Sequence, residues 1–124
     1  MDLSMKVLVV DDFATMRRII KGALKQIGFS SIIEADDGNS ALRELKSQDF
    51  GLILSDWNMP NMRGIDLLKA AKSDESLKDI PFIMVTAAGQ KDNVMEALQA
   101  GVSNYIMKPF TPQALEEKIK KVLD

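Results

Sequence analysis

At 124 residues, 46% of them hydrophobic and 27% charged, the chain suits one domain whose core stands without disulfides or structural zinc. A formal charge of −2 leaves no basic footprint for nucleic acid or an anionic membrane surface. The sequence contains neither cysteine nor histidine, which excludes disulfide frameworks, His-dependent triads and the commonest zinc ligand. Acid–base or metal chemistry must therefore rest on carboxylates, Lys, Tyr and backbone. The opening Met1-Asp2-Leu3-Ser4 lacks the basic and apolar regions of a leader, and no apolar run approaches the ~20 residues of a membrane helix, so a cytoplasmic protein is expected.

Residues 6–10 predict a first strand, continuously apolar from Val7 to Val10 and so suited to burial on both faces of a parallel sheet. Met16, Ile19, Ile20, Ala23, Leu24 and Ile27 form a helical stripe closed by Gly28. Residues 31–35 predict a less purely apolar strand, fit for an edge. Ala41, Leu42 and Leu45 mark a second helix. Residues 50–54 predict a third strand, and Ile65, Leu67, Leu68 and Ala71 a third helix. Residues 81–85 predict a fourth strand. Val94, Met95, Leu98 and Val102 outline a fourth helix ending near Gly101. Residues 104–107 predict a second edge strand. A last helix carries Leu115, Ile119, Val122 and Leu123, entered through Thr111 as N-cap and Pro112 at the first helical position. Strand and helix alternate five times, which predicts an α/β domain, a doubly wound parallel sheet with right-handed crossovers, spanning 1–124 with no second domain.

In that arrangement Asp11 and Asp12 follow the first strand, Asp56 the third, Thr86 the fourth and Lys108 the fifth. All lie at carboxyl ends, where open α/β sheets bind ligands. Carboxylates brought together there repel by about 4 kcal/mol per pair at 4 Å and an effective dielectric of 20. Such a cluster calls for a cation or shared protons. Hard oxygen ligands suit Mg2+. A metal with a lysine is also what a transferring phosphoryl group requires, and a carboxylate is a competent nucleophile toward phosphorus. Singly, each residue has an ordinary reading. Asp11 and Asp12 could cap the first helix, Asp56 could sit in a turn, and Lys108-Pro109 could form a plain loop. Tyr105 could be a half-buried strand aromatic, the eight methionines core filler, and Glu116 to Lys121 a solvated helix face. Their coincidence at successive strand ends favours a site.

Several stretches then become recognisable: Val9-Val10-Asp11-Asp12-Phe13, Thr15-Met16-Arg17-Arg18-Ile19, Ser55-Asp56-Trp57-Asn58-Met59-Pro60-Asn61-Met62, Met84-Val85-Thr86-Ala87, and Tyr105 with Lys108-Pro109-Phe110-Thr111. From about Lys6 to the last helix the chain resembles the response-regulator receiver domains of two-component signalling. The run after Asp56 and the run from Phe13 to Arg18 are most similar to the single-domain chemotaxis members. The resemblance implies a flavodoxin-like five-stranded sheet of order 2-1-3-4-5 with helices on both faces. It implies Asp56 as phosphoacceptor, with Asp11, Asp12, Asp56 and the backbone carbonyl of Asn58 holding Mg2+. Lys108, Thr86 and Ala87 would receive the phosphoryl group, Tyr105 would swing inward, and the Lys108–Pro109 bond would be cis. The phosphodonor would be a CheA-like histidine kinase. The target would be the flagellar motor switch protein, met by Lys91, Tyr105, Ile106 and Lys118, with a phosphatase as a further partner and the protein a monomer. No enzymatic activity beyond its own phosphoryl transfer and dephosphorylation is implied. Two positions depart from the family pattern. Ala88 stands where the best-known chemotaxis members have an acidic residue, and Arg63 precedes Gly64 where Asp or Asn is usual.

The alternatives separate on sequence. An Mg2+ aspartyl phosphohydrolase needs two Asp spaced by one residue, whereas Asp11 and Asp12 are adjacent. A flavin carrier needs a Ser, Thr and Gly-rich first loop, which Asp11-Asp12 opposes. A phosphorelay shuttle or phosphate-sink receiver differs only in its target.

Overall fold

A computed structural model describes the backbone of residues 1–59, 61–87 and 91–124, and the side chains of these except residues 87 and 91–93. The expectations for Ala88, and for the side chains of Ala87 and Lys91, lie outside the described residues. Elements alternate as β1 Lys6–Val10, α1 Ala14–Ile27, β2 Ser31–Ala35, α2 Gly38–Ser47, β3 Leu52–Asp56, α3 Gly64–Lys72, β4 Phe82–Ala87, α4 Lys91–Gln99, β5 Asn104–Lys108 and α5 Pro112–Leu123. The strands form one parallel sheet of order β2-β1-β3-β4-β5. The two less apolar strands do take the edges.

Alternation along each strand divides the core in two. Leu8, Val10, Ile53 and Met84 face one way and pack with Leu45 of α2, Leu67 and Leu68 of α3 and Ala97 of α4. Val7, Val9, Leu54, Val85 and Ile106 face the other way and pack with Ile20 and Leu24 of α1 and Leu115 and Ile119 of α5. Both faces of the central strands are thus covered, which is why those strands read as unbroken apolar runs. Thr111 caps α5 through its side-chain oxygen, which accepts from the Ala114 N–H, and Pro112 stands in the first turn. Gly28 closes α1 at φ 128°, a conformation that favours glycine.

β3, β4 and β5 run further at their carboxyl ends than their apolar stretches, β5 through Lys108. β3 starts at Leu52 instead of residue 50 and ends at Asp56, which pairs with Val85. Phe50 stays buried below the strand. β4 starts after Pro81, which has no N–H to give, and runs through Thr86 and Ala87, which pair with Met107 and Lys108. Backbone pairing holds these ends in the sheet although their side chains are polar. Two helices bury a narrower stripe than their apolar residues outline. Ile19 is 51% exposed on α1, and on α4 Met95 and Leu98 are 58% and 51% exposed while Ala97 carries the packing.

Candidate functional site

β1, lying beside both β2 and β3, delivers Asp11 just past its last residue, so the two crossovers leaving β1 and β3 part on either side of it. Asp11 is wholly buried. Its N–H donates to the Ala35 carbonyl at 3.1 Å, and its Oδ1 accepts from the Phe13 N–H at 2.9 Å. This is a tight turn rather than a helix cap, because the N-cap of α1 is Phe13, without a side-chain hydrogen bond. Asp12 points outward and is exposed. Asp56 ends β3, 7% exposed. One carboxylate oxygen from each of Asp11, Asp12 and Asp56 lies within 4.8 Å of the others. At that separation each charged pair repels by about 3–4 kcal/mol at an effective dielectric of 20.

Lys108, the last residue of β5, meets this charge. Its Nζ lies 2.9 Å from Asp56 Oδ1 and 3.4 Å from Asp11 Oδ2. One ammonium does not neutralise three carboxylates. Burial pushes the Asp56 carboxyl above its ordinary value of 3.8, and the nearby Asp11 charge adds to this, against the pull of Lys108. At Lys108 burial alone would lower the ammonium, but the hydrogen bond and charge of Asp56, with Asp11 beyond, raise it above 10.5. The two shifts act oppositely on the ion pair: the charged form of Lys108 is favoured, and that of Asp56 is disfavoured. Burial governs at Asp56, because the carboxylate has little solvent and shares its one cation. The donor set, three carboxylates converging on one point, fits a hard divalent cation.

Thr86 is 2% exposed on β4, beside Asp56 across one register step. Trp57, Met84, Thr86, Val94, Ala97 and Tyr105 line one narrow crevice that has no room for a water-sized guest. Tyr105 is half-buried on β5, and the Lys118 Nζ stands 4.9 Å from its ring centroid. The Lys108–Pro109 bond is cis. The side chain of Asn58 is exposed. Ile106 corrects an expectation. It is 4% exposed, because alternation on β5 turns it under α5 against Leu115 and Ile119, so it is no surface contact in this conformation. Met107, one residue on, is 40% exposed.

Gly64 and Arg17 act here without having been singled out by type and spacing. Gly64 opens α3, and its N–H donates to the Trp57 carbonyl at 2.8 Å. A Cβ on Gly64 would collide with the Asp56 carbonyl oxygen and stand 3.0 Å from Met84 Sδ, so only glycine lets α3 start against the end of β3. Arg17 reaches back from α1 to donate to the Asp11 carbonyl at 2.7 Å. Arg63, which lacks the oxygen of a usual N-cap, is served by Asp66, whose Oδ2 accepts from the Arg63 N–H and from its Nε, both at 3.2 Å. Asn61 takes up a φ of 69° in the preceding loop, a conformation asparagine tolerates.

Comparison with known proteins agrees with this geometry. The pattern of the response regulator receiver domain family matches residues 7–120. The chain is 55% identical over 120 residues to the chemotaxis protein CheY of Pseudomonas aeruginosa, covering 97% of each. It is 52% identical over 121 residues to the chemotaxis protein CheY-3 of Vibrio cholerae, covering 98% of this chain and 93% of that one. Among solved structures it is similar to the chemotaxis response regulator CheY4 of Vibrio cholerae, with a TM-score of 0.88, 32% identity and coverage of 97% and 99%. It is also similar to a response regulator receiver domain protein from Clostridium thermocellum, with a TM-score of 0.87, 28% identity and coverage of 96% and 94%. Among the described residues no helix is long and apolar enough to cross a membrane. With sheet order, strand-end carboxylates and a match over nearly all of its length in agreement, the chain belongs to the response regulator receiver domain family, and it is a receiver domain of the CheY type.

Proposed function

We propose that this chain is a single-domain cytoplasmic switch of chemotaxis signalling, phosphorylated on Asp56 by a histidine kinase with Mg2+ as cofactor, and that its phosphorylated form binds the flagellar motor switch. One observation carries the reading: the oxygens of Asp11, Asp12 and Asp56 converge within 4.8 Å while Lys108 reaches Asp56 at 2.9 Å. Two relatives named as chemotaxis proteins match over nearly their whole length and support the choice of pathway. The carboxylates of Asp11, Asp12 and Asp56, with the Asn58 backbone carbonyl, would hold the ion. When bound it supplies positive charge to the oxygens of the transferring phosphoryl group.

An Asp56 carboxylate oxygen attacks phosphorus, the P–N bond to the donor imidazole breaks, and its electron pair stays on the departing nitrogen. Lys108 then follows the negative charge from Asp56 to a phosphoryl oxygen, and the Thr86 hydroxyl donates to another. Thr86 and Tyr105 line the same crevice, so drawing Thr86 toward the phosphoryl group opens room for the ring. Tyr105 leaves the Lys118 ammonium and turns inward, which changes the face formed by α4, β5 and α5. Lys91, Tyr105 and Lys118 on that face would meet the target. The chain catalyses nothing beyond its own phosphoryl transfer and dephosphorylation.

Trp57 adjoins Asp56 and is 4% exposed, so its fluorescence is a direct reporter. Titration with Mg2+ and then acetyl phosphate should quench the wild type in two steps. Asp56→Asn should lose the donor step entirely. A donor response that survives in Asp56→Asn would sink the assignment. Tyr105→Ala should keep phosphoryl uptake and weaken capture of the motor-switch protein. Loss of uptake would mean Tyr105 belongs to the acceptor chemistry instead.

A further inference from the structure

Asp11 and Asp12 are joined by one peptide unit, and the Asp11 carbonyl is part of it. Arg17 Nη1 donates to that carbonyl at 2.7 Å, while Arg17 Nε donates to Glu34 Oε1 at 3.1 Å. Glu34 stands on β2, and its other oxygen lies 3.5 Å from Lys21 Nζ, so a second cation on α1 holds the carboxylate that holds Arg17. On the other side of Asp11, its N–H donates to Ala35, the residue after Glu34. Both ends of the Asp11 backbone are therefore tied to β2, one directly and one through the guanidinium. Asp12 is different: among the described residues its carboxylate makes no hydrogen bond or ion pair. Since a peptide unit is planar, fixing its carbonyl fixes the direction in which the chain leaves for Asp12. Among the described residues only the backbone places the exposed carboxylate, and that backbone is held by Arg17 at the Asp11 carbonyl and by the Phe13 N–H, which donates across Asp12 to Asp11 Oδ1.

We infer that Arg17 is a positioning residue for the metal site, clamping the Asp11–Asp12 peptide through Glu34 so that the Asp12 carboxylate is presented to the same ion as Asp11 and Asp56. This rests on the Mg2+ reading proposed above. A purely electrostatic role would have the opposite sign. A guanidinium beside a cation site repels the cation, so removing it would tighten Mg2+ binding, more so at low salt. Positioning instead predicts weaker binding when the fork is lost. Lysine separates the two, because it keeps the charge and cannot reproduce the planar two-sided bond.

The test is a calorimetric and Trp57-fluorescence titration of the full chain with Mg2+, comparing wild type, Arg17→Gln and Arg17→Lys. Amide hydrogen exchange of the metal-free proteins is measured alongside. Both variants should weaken Mg2+ by about tenfold, the low end of what outer partners of metal ligands contribute. The Phe13 amide should exchange faster in both, while amides of β4 and α5 keep their protection, which a general loss of stability would not allow. Unchanged or tighter Mg2+ binding in Arg17→Gln, or full rescue by Arg17→Lys, overturns the inference and leaves the phosphoacceptor reading standing. Absence of Mg2+ binding in the wild type overturns both.

Discussion

Within the sheet, Val9, Ile53, Leu54 and Ile83 are shut off from solvent among apolar neighbours, whereas two or three residues further along the same strands Asp11, Asp56 and Thr86 are shut off almost as completely and are polar. The first group stabilises by roughly 1.5–3 kcal/mol for each large side chain buried. The two carboxylates of the second group carry mutual repulsion that a single lysine only partly offsets. One set of strands thus contains both the interactions that hold the fold and those that oppose it, separated by a short step of chain. The doubly wound topology makes this workable. Helices cover both faces of the sheet body, and the carboxyl ends, where the crossovers part, are left for chemistry.

Substitutions can break this contrast. Leu54→Ala, in the middle of β3, should cost about 2–5 kcal/mol in denaturant unfolding, the usual range for a core leucine. Because Leu54 faces α1 and α5, away from the acceptor loop, Mg2+ affinity should stay near the wild-type value. Gly64→Ala sits on the boundary. The added methyl must displace either α3 or the Asp56 carbonyl, so about 1–3 kcal/mol should be lost together with Mg2+ affinity, read by the same titration. If the Gly64→Ala variant binds Mg2+ like the wild type, the close approach serves packing alone. Thr111→Ala removes only the cap of α5 and should cost about 1 kcal/mol with no change in Mg2+ binding. An effect on Mg2+ would show that α5 is coupled to the site even before phosphorylation.

How much of this was legible in the sequence follows from what each residue does. Asp11, Asp56, Thr86 and Lys108 were found because topology alone gathers strand ends, whatever the exact register. The strand limits were misjudged at the same places: apolar patterning stops at Leu54 and Val85, while backbone pairing continues through Asp56 and Ala87. Patterning reports side-chain burial, and the ladder does not depend on it. Ile19, Met95 and Leu98 look like core residues by period, but a helix lying on one face of a sheet buries a narrow stripe, here Ile20, Ala23 and Leu24 or Ala97. The resemblance offers Ile106 as a contact alongside Tyr105, although alternation puts consecutive strand residues on opposite sides. Arg17 and Gly64 left no signal of their own. One acts on a backbone carbonyl six residues back, and the other acts through an atom it lacks.

The smallest expected effect tests the opposition most directly. Burial holds the Asp56 carboxyl above its ordinary value of 3.8, with the Lys108 bond pulling the other way and the Asp11 charge adding to burial. A group whose native value is raised binds its proton more readily in the folded than in the unfolded chain. Its contribution is therefore fully present below 3.8 and is lost as pH climbs through the native value. At neutral pH without divalent cation, the ionised Asp56 should weigh against the fold. Asp56→Asn removes that charge and leaves Lys108 with Asp11 as its partner. The variant should be more stable than the wild type at pH 7, against the usual loss of about 1 kcal/mol for a point substitution. The advantage should shrink as pH falls toward the ordinary carboxylate range. Denaturant unfolding of both proteins from pH 4 to 7 in a chelator reads it. A variant less stable than the wild type at neutral pH would mean that the Lys108 ion pair outweighs desolvation, and that the carboxyl end of the sheet is held together by its charges. Should the expected order appear, saturating Mg2+ ought to reverse it, because a ligand that binds only the native state adds about 2.7 kcal/mol at a hundred times its Kd, and Asp56→Asn would have lost one of that ion's carboxylates.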